Sequence, residues 1–125
     1  MDTNVLARLL VEDDQAQAEI ARDTLSRDCI ISSTVLIEAE WVLRSLYRWP
    51  RDAIAASLRE IIDLPSVTVD SVNIRWAIDR FSKGADFADM MHIASAQGAT
   101  SFATFDRRVD KDAGPKSPVR VETLI

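Results

Sequence analysis

Cys29-Ile30-Ile31-Ser32 is a short run of β-branched and apolar residues, and Ser33-Thr34-Val35-Leu36-Ile37-Glu38-Ala39-Glu40-Trp41-Val42-Leu43-Arg44-Ser45-Leu46 follows it directly. In the second stretch Val35, Leu36, Ala39, Val42, Leu43 and Leu46 recur at helical spacing and mark an apolar stripe. A buried strand passing within a few residues into an amphipathic helix is the repeating unit of an α/β fold. The same alternation continues on both sides. Val67–Val69 and Phe102–Phe105 read as further buried strands, and Val119–Val121 as a fourth. Asp14 with Gln17 forms a capping pattern ahead of a helix running to about Ser26. Pro50 suits the first turn of a helix carrying Ile54, Leu58, Ile61 and Ile62, which stops before Pro65. Asp70 or Ser71 caps a helix through Val72, Ile74, Ala77, Ile78 and Phe81, ending near Gly84. A last long helix starts around Asp86 and ends at Gly98. Ala113-Gly114-Pro115-Lys116-Ser117-Pro118 is a connector into the last strand. The expectation is a single α/β domain over residues 1–125 with a central, mostly parallel sheet flanked by helices.

The 125 residues suffice for one domain with its own core. Cys29 is the only cysteine, which excludes an internal disulfide and a CxxC metal site and suits a reducing compartment. No apolar run approaches the ~20 residues of a membrane span. Met1-Asp2-Thr3-Asn4 lacks the basic and hydrophobic regions of a signal peptide, so a cytoplasmic protein is expected. Thr3 to Leu10 reads as a strand end turning into a helix, yet only Met1 precedes Asp2. The expectation is either a very short first strand or a truncated one, with the residues that would complete it absent from this chain.

Fifteen Lys and Arg against twenty Asp and Glu give a formal charge of −5. Taken alone, that argues against the basic footprint of a nucleic-acid binder. The positions of the acids argue otherwise. In parallel α/β sheets ligands bind at the carboxyl ends of strands. Asp2 precedes the first helix, Glu38 lies early in the helix after Cys29–Ser32, Asp86 and Asp89 share a face in the first turn of a helix, and Asp106 follows Phe105 directly. Each has an ordinary alternative: Asp2 as a solvated terminus, Asp86 and Asp106 as N-caps, Asp89 as a first-turn acid favoured by the helix dipole. Glu38 sits among Val35-Leu36-Ile37 and Ala39, where an unpaired carboxylate is costly, whereas Glu40 reads as the exposed member of a surface stripe. Acids gathered in one partly dehydrated place repel, and a divalent cation is the usual means of keeping them ionised. Carboxylate and water oxygens suit Mg²⁺ or Mn²⁺.

Asp2-Thr3-Asn4-Val5-Leu6 resembles the opening motif of PIN-domain ribonucleases, above all the VapC toxins of type II toxin–antitoxin systems. Further matches follow in order: the stretch from Ile31 to Arg44, then Asp86-Phe87-Ala88-Asp89-Met90-Met91-His92-Ile93-Ala94, then Phe102-Ala103-Thr104-Phe105-Asp106-Arg107. The resemblance implies a PIN fold and a metal site of Asp2, Glu38, Asp89 and Asp106, with Asp86 as an auxiliary acid. Glu38 takes the family's second position because it stands three residues before Trp41. Asn4 and Thr104 match its polar accessories and would orient ligands or the attacking water. The departure from the pattern is the missing apolar run before Asp2. The implied chemistry is Mg²⁺- or Mn²⁺-dependent hydrolysis of RNA phosphodiester bonds, which needs no catalytic His, Lys or Cys. The implied partners are an RNA substrate, a VapB-type antitoxin laying a basic side chain among the acids, and a second copy in a homodimer, assembling with antitoxin into a heterotetramer or larger; no membrane is implied.

His92, three residues after Asp89, is read as a packing or hydrogen-bonding residue, since an oxygen-rich site gains little from imidazole. Trp41 reads as core or subunit interface. Trp49 and Tyr47, near Arg44, Arg48 and Arg51, offer either packing or a partner or RNA surface. Arg107, Arg108 and Lys111 either contact phosphates or form a solvated face. A receiver-type signalling domain would need Asp70 as phosphoacceptor and a lysine at a strand end, but Lys83, Lys111 and Lys116 all lie elsewhere. A haloacid-dehalogenase-type phosphatase would need an acid where Asn4 stands. A catalytically impaired PIN-like module that binds RNA or protein is the non-enzymatic alternative.

Overall fold

The computed structural model describes residues 1–125, which fall into two compact units, Met1–Asp70 and Ser71–Ile125. In the first unit the order is α1 (Thr3–Val11), α2 (Gln15–Leu25), β1 (Cys29–Ile31), α3 (Ser33–Ser45), α4 (Arg51–Asp63) and β2 (Val67–Val69). β1 and β2 pair in parallel with Cys29 opposite Val67 and Ile31 opposite Val69, and α3 and α4 form the crossover between them. The core is built from one stripe of each helix: Leu6 and Ala7, Ala18, Ala21 and Leu25, Leu36, Ala39 and Leu43, and Ile54, Ala55, Leu58 and Ile61. Asp14 caps α2 by accepting from the Gln17 amide at 3.1 Å, as its sequence pattern predicts.

The second unit runs α5 (Ile74–Ser82), α6 (Phe87–Ser95), β3 (Phe102–Thr104), α7 (Arg108–Ala113) and β4 (Val121–Thr123). β3 and β4 are also parallel, with Phe102 opposite Val121. Ile74, Ala77, Ile78 and Phe81 of α5 meet Phe87, Met90, Met91 and Ala94 of α6 in its core, where Phe81 and Phe87 stack edge to face with centroids 5.4 Å apart.

Both ladders are parallel, as the alternation of strands and helices predicts, and each is two-stranded. Several boundaries differ from the sequence reading: β1 and β3 each stop one residue early, at Ile31 and Thr104, α6 ends at Ser95 rather than Gly98, and α7 has no counterpart in it. The last strand begins at Val121 rather than Val119, because Pro118 has no amide to offer and pairing starts where Phe102 N donates to Arg120 O at 2.7 Å. α5 begins at Ile74, leaving Val72 exposed, because Ser71 closes a local turn by accepting from the Asn73 amide. No strand precedes α1; Met1 sends its ammonium to the Ile30 carbonyl of β1 at 2.7 Å. No helix is long and apolar enough to cross a membrane.

Candidate active site

In the first unit Asp2 occupies the N-cap of α1, its carbonyl accepting from the Val5 and Leu6 amides at 3.1 and 3.3 Å. Its side chain makes no capping bond, so the exposed carboxylate is left to act elsewhere. Thr3, next in sequence, is buried at 7% exposure and donates through Oγ1 to Oε2 of Glu38 at 3.2 Å. This one bond links the start of α1 to α3.

Glu38 itself is exposed, and Glu40 is the buried one at 4% exposure, the reverse of the sequence reading. The cause is helical phase: counting from the buried Leu36 at about 100° per residue, Glu40 lies roughly 40° away and Glu38 roughly 200° away. Glu40 therefore turns inward beside Ala39 and Leu43, where its Oε2 accepts from Arg44 Nε at 2.7 Å. Asn4 is exposed on α1 and, with Arg8, Gln17 and Ile20, lines an open pocket between α1 and α2.

In the second unit Asp86 caps α6, its Oδ2 accepting from the Asp89 amide at 3.0 Å. Its ordinary role as an N-cap is thus real, and it also fixes the turn that carries Asp89. Burial pushes the Asp89 carboxyl up from the ordinary carboxylate value, and the negative charges of Asp86 and Asp106 push it further; the charges of His92 and Arg108 oppose them. Asp106 is held by a turn just after β3, in which its amide donates to Thr104 Oγ1 at 3.0 Å. Thr104 thus positions the backbone of Asp106, and the same turn swings Phe105 outward to 75% exposure. The Asp106 carboxylate accepts from the Arg108 amide at 2.9 Å and from its guanidinium at 3.2 and 3.3 Å, and the guanidinium holds it below the ordinary range.

His92 is exposed on α6 rather than packed. Trp41 is half-exposed rather than core, and Leu46 at the end of its stripe is exposed too. Tyr47 donates to Asp13 Oδ2 at 3.3 Å. Asp70 is no free phosphoacceptor, since its carboxylate accepts from both the amide and the hydroxyl of Ser33. That contact and the Thr3–Glu38 bond join residues more than thirty positions apart, and no local spacing announces either; the adjacency of Thr3 to Asp2 is the one available hint.

Within each unit the candidate donors are oxygens, mostly charged and solvent-reachable, the kind a hard divalent cation takes. The negative charges of Asp86 and Asp106 add to burial in raising the Asp89 carboxyl, an effect that the charge of a cation relieves. In neither unit are three His, Cys, Asp or Glu side chains already drawn into one ready-made cluster. Residues 1–114 match the family model of the PIN domain. No curated protein and no solved structure matches the chain.

Proposed function

The chain belongs to the PIN domain family, whose members are generally nucleases, and on that premise we propose that it is a VapC-like toxin, an endoribonuclease dependent on Mg²⁺ or Mn²⁺. The observation that carries this reading is the order and spacing of Asp2, Glu38, Asp89 and Asp106 within four successive motifs of the matched region. These four acids are the proposed metal ligands, with Asp86 behind Asp89. A divalent cation held by these acids would supply the positive charge that lowers the pKa of a water and steadies the leaving oxygen.

The chain's own groups do the rest. Asp86 fixes the first turn of α6 and so the direction of Asp89. Thr104 fixes the turn that carries Asp106. Arg108 pairs with Asp106 and is a basic group beside that acid that could contact a phosphate. The same pairing supports the proposed inhibition by a VapB-type antitoxin, since it shows that one of the candidate acids can accept a guanidinium. The half-exposed Trp41 with the exposed Leu46 is the proposed apolar part of a homodimer or antitoxin interface.

The test is incubation of the purified protein with total cellular RNA and Mn²⁺ or Mg²⁺, beside an EDTA control and an Asp89→Ala variant. Metal-dependent internal cleavage, lost in both controls, is expected. Cleavage persisting in EDTA or in the variant overturns the metal-carboxylate reading, and RNA left intact under every condition favours the impaired, binding-only module.

A further inference from the structure

Glu38 and Glu40 stand two residues apart on α3 and are held by opposite kinds of partner. Glu40 is buried against a guanidinium, which cancels its charge. Glu38 is exposed and receives a hydroxyl, which directs the carboxylate and leaves its charge intact. A neutral donor of this kind is what an anionic ligand of a cation needs behind it: it fixes orientation without competing for the site.

The donor is itself well fixed. Thr3 is the first residue of α1, β-branched and therefore restricted at χ1, with its side chain buried. The position of Oγ1 is thus set by the helix backbone. A hydroxyl carries one proton, so it occupies one lone pair of Oε2 and leaves Oε1 and the remaining lone pairs of the carboxylate to accept from elsewhere. An exposed glutamate without such a partner samples many rotamers, and freezing it on a ligand costs side-chain entropy. Here that ordering is done in advance, by the residue adjacent to Asp2.

We propose that Thr3 is a positioning residue: its hydroxyl holds the Glu38 carboxylate oriented for the divalent cation and thereby sets the affinity for that cation. This rests on the reading of Glu38 as a ligand. The two ideas separate in a Mn²⁺ titration of the full chain, following free Mn²⁺ by electron paramagnetic resonance, with Thr3→Val, Thr3→Ala, Thr3→Ser and Glu38→Gln compared with the parent. Steady-state cleavage as a function of Mn²⁺ concentration is the second readout.

Thr3→Val keeps the shape and loses the donor, and should weaken Mn²⁺ binding by about tenfold, the lower end for loss of a partner behind a metal ligand. It should raise by a similar factor the Mn²⁺ concentration that half-activates cleavage while leaving KM for RNA near the parent value. Thr3→Ser keeps the donor and should restore most of both losses. Thr3→Val binding Mn²⁺ as the parent does, or Thr3→Ser as weak as Thr3→Val with unchanged melting, overturns the proposal; Thr3→Ala gives the same test should Val not fold. Glu38→Gln losing Mn²⁺ while Thr3→Val keeps it removes only the role of Thr3. Glu38→Gln binding as tightly as the parent removes the ligand reading and the proposal with it.

Discussion

Asp70, one residue beyond β2, accepts hydrogen bonds from both the amide and the hydroxyl of Ser33, the first residue of α3, the amide lying 3.0 and 3.1 Å from its two oxygens. The contact satisfies an amide that the helix leaves without a partner, and it places a negative charge at the positive end of the helix. Ser32, the formal cap, accepts from Val35, so two side chains serve the same terminus. The helix held in this way is the one that carries Glu38.

Replacing Asp70 with Ala should cost about 1 kcal/mol, as loss of a helix cap commonly does. The Ser33 hydroxyl bond holds the Asp70 carboxyl below its ordinary value. A lowered carboxylate contributes stability that is present in full above the unfolded value and lost as pH falls through the folded one. The gap between parent and Asp70→Ala in denaturant melts should thus be constant near neutral pH and close only in strong acid. Equal midpoints at pH 7 would show that the contact contributes nothing.

The two glutamates of α3 should separate in their effects. Arg44→Ala leaves the Glu40 carboxylate buried without its guanidinium and should cost about 1–3 kcal/mol of stability, the desolvation penalty of an orphaned group. The exposed Glu38 should behave conversely, Glu38→Gln melting near the parent while cleavage is lost. Urea midpoints and an RNA cleavage assay on both variants decide this; a severe stability loss from Glu38→Gln would contradict the exposed placement.

Much of this architecture is legible from local pattern. The apolar stripes of α3 to α6 and the Asp14 cap follow from spacing within one or two turns, and so do the three-residue strands that alternate with them. The Thr3–Glu38 and Ser33–Asp70 contacts are not local; each forms only when a crossover brings distant segments side by side. The exchange of Glu38 and Glu40 has another cause. Both flank Ala39, and apolar neighbours in sequence are a poor guide to burial on a helix, where phase relative to Leu36 decides. For the proposed ligands, motif order supplies the candidate positions. What it leaves unseen is their present engagement, Asp86 with an amide and Asp106 with Arg108.

Asp89 should trade stability against activity. Burial and the charges of Asp86 and Asp106 raise its pKa, so the ionised form destabilises the folded chain at neutral pH. Asp89→Asn should therefore melt higher than the parent at pH 7 in EDTA, the advantage shrinking as pH falls through the raised pKa and vanishing below the ordinary value of 3.8, where both states are protonated. Saturating Mn²⁺ should reverse the ranking. At a hundredfold excess over Kd a ligand of the folded state contributes about 2.7 kcal/mol, and it would stabilise only the chain that binds it. A variant less stable than the parent in EDTA at pH 7 would refute the raised pKa.

Gly114 closes α7 at φ 76 and ψ −178, a region essentially reserved for glycine. An added Cβ would stand 3.0 Å from Cζ of Arg80 and 3.1 and 3.2 Å from its two terminal nitrogens. Arg80 is not free to retreat, since its Nε donates to the Asp112 carbonyl at 2.6 Å and serves the end of that helix. Gly114→Ala should therefore cost about 1–3 kcal/mol from backbone strain alone, and more with the crowding. A double-mutant cycle with Arg80→Ala divides the two: removing the guanidinium relieves the crowding and leaves the strain, so the double variant should be more stable than the sum of the single losses implies. A cycle that closes with no coupling would assign the whole cost to φ and ψ and none to Arg80.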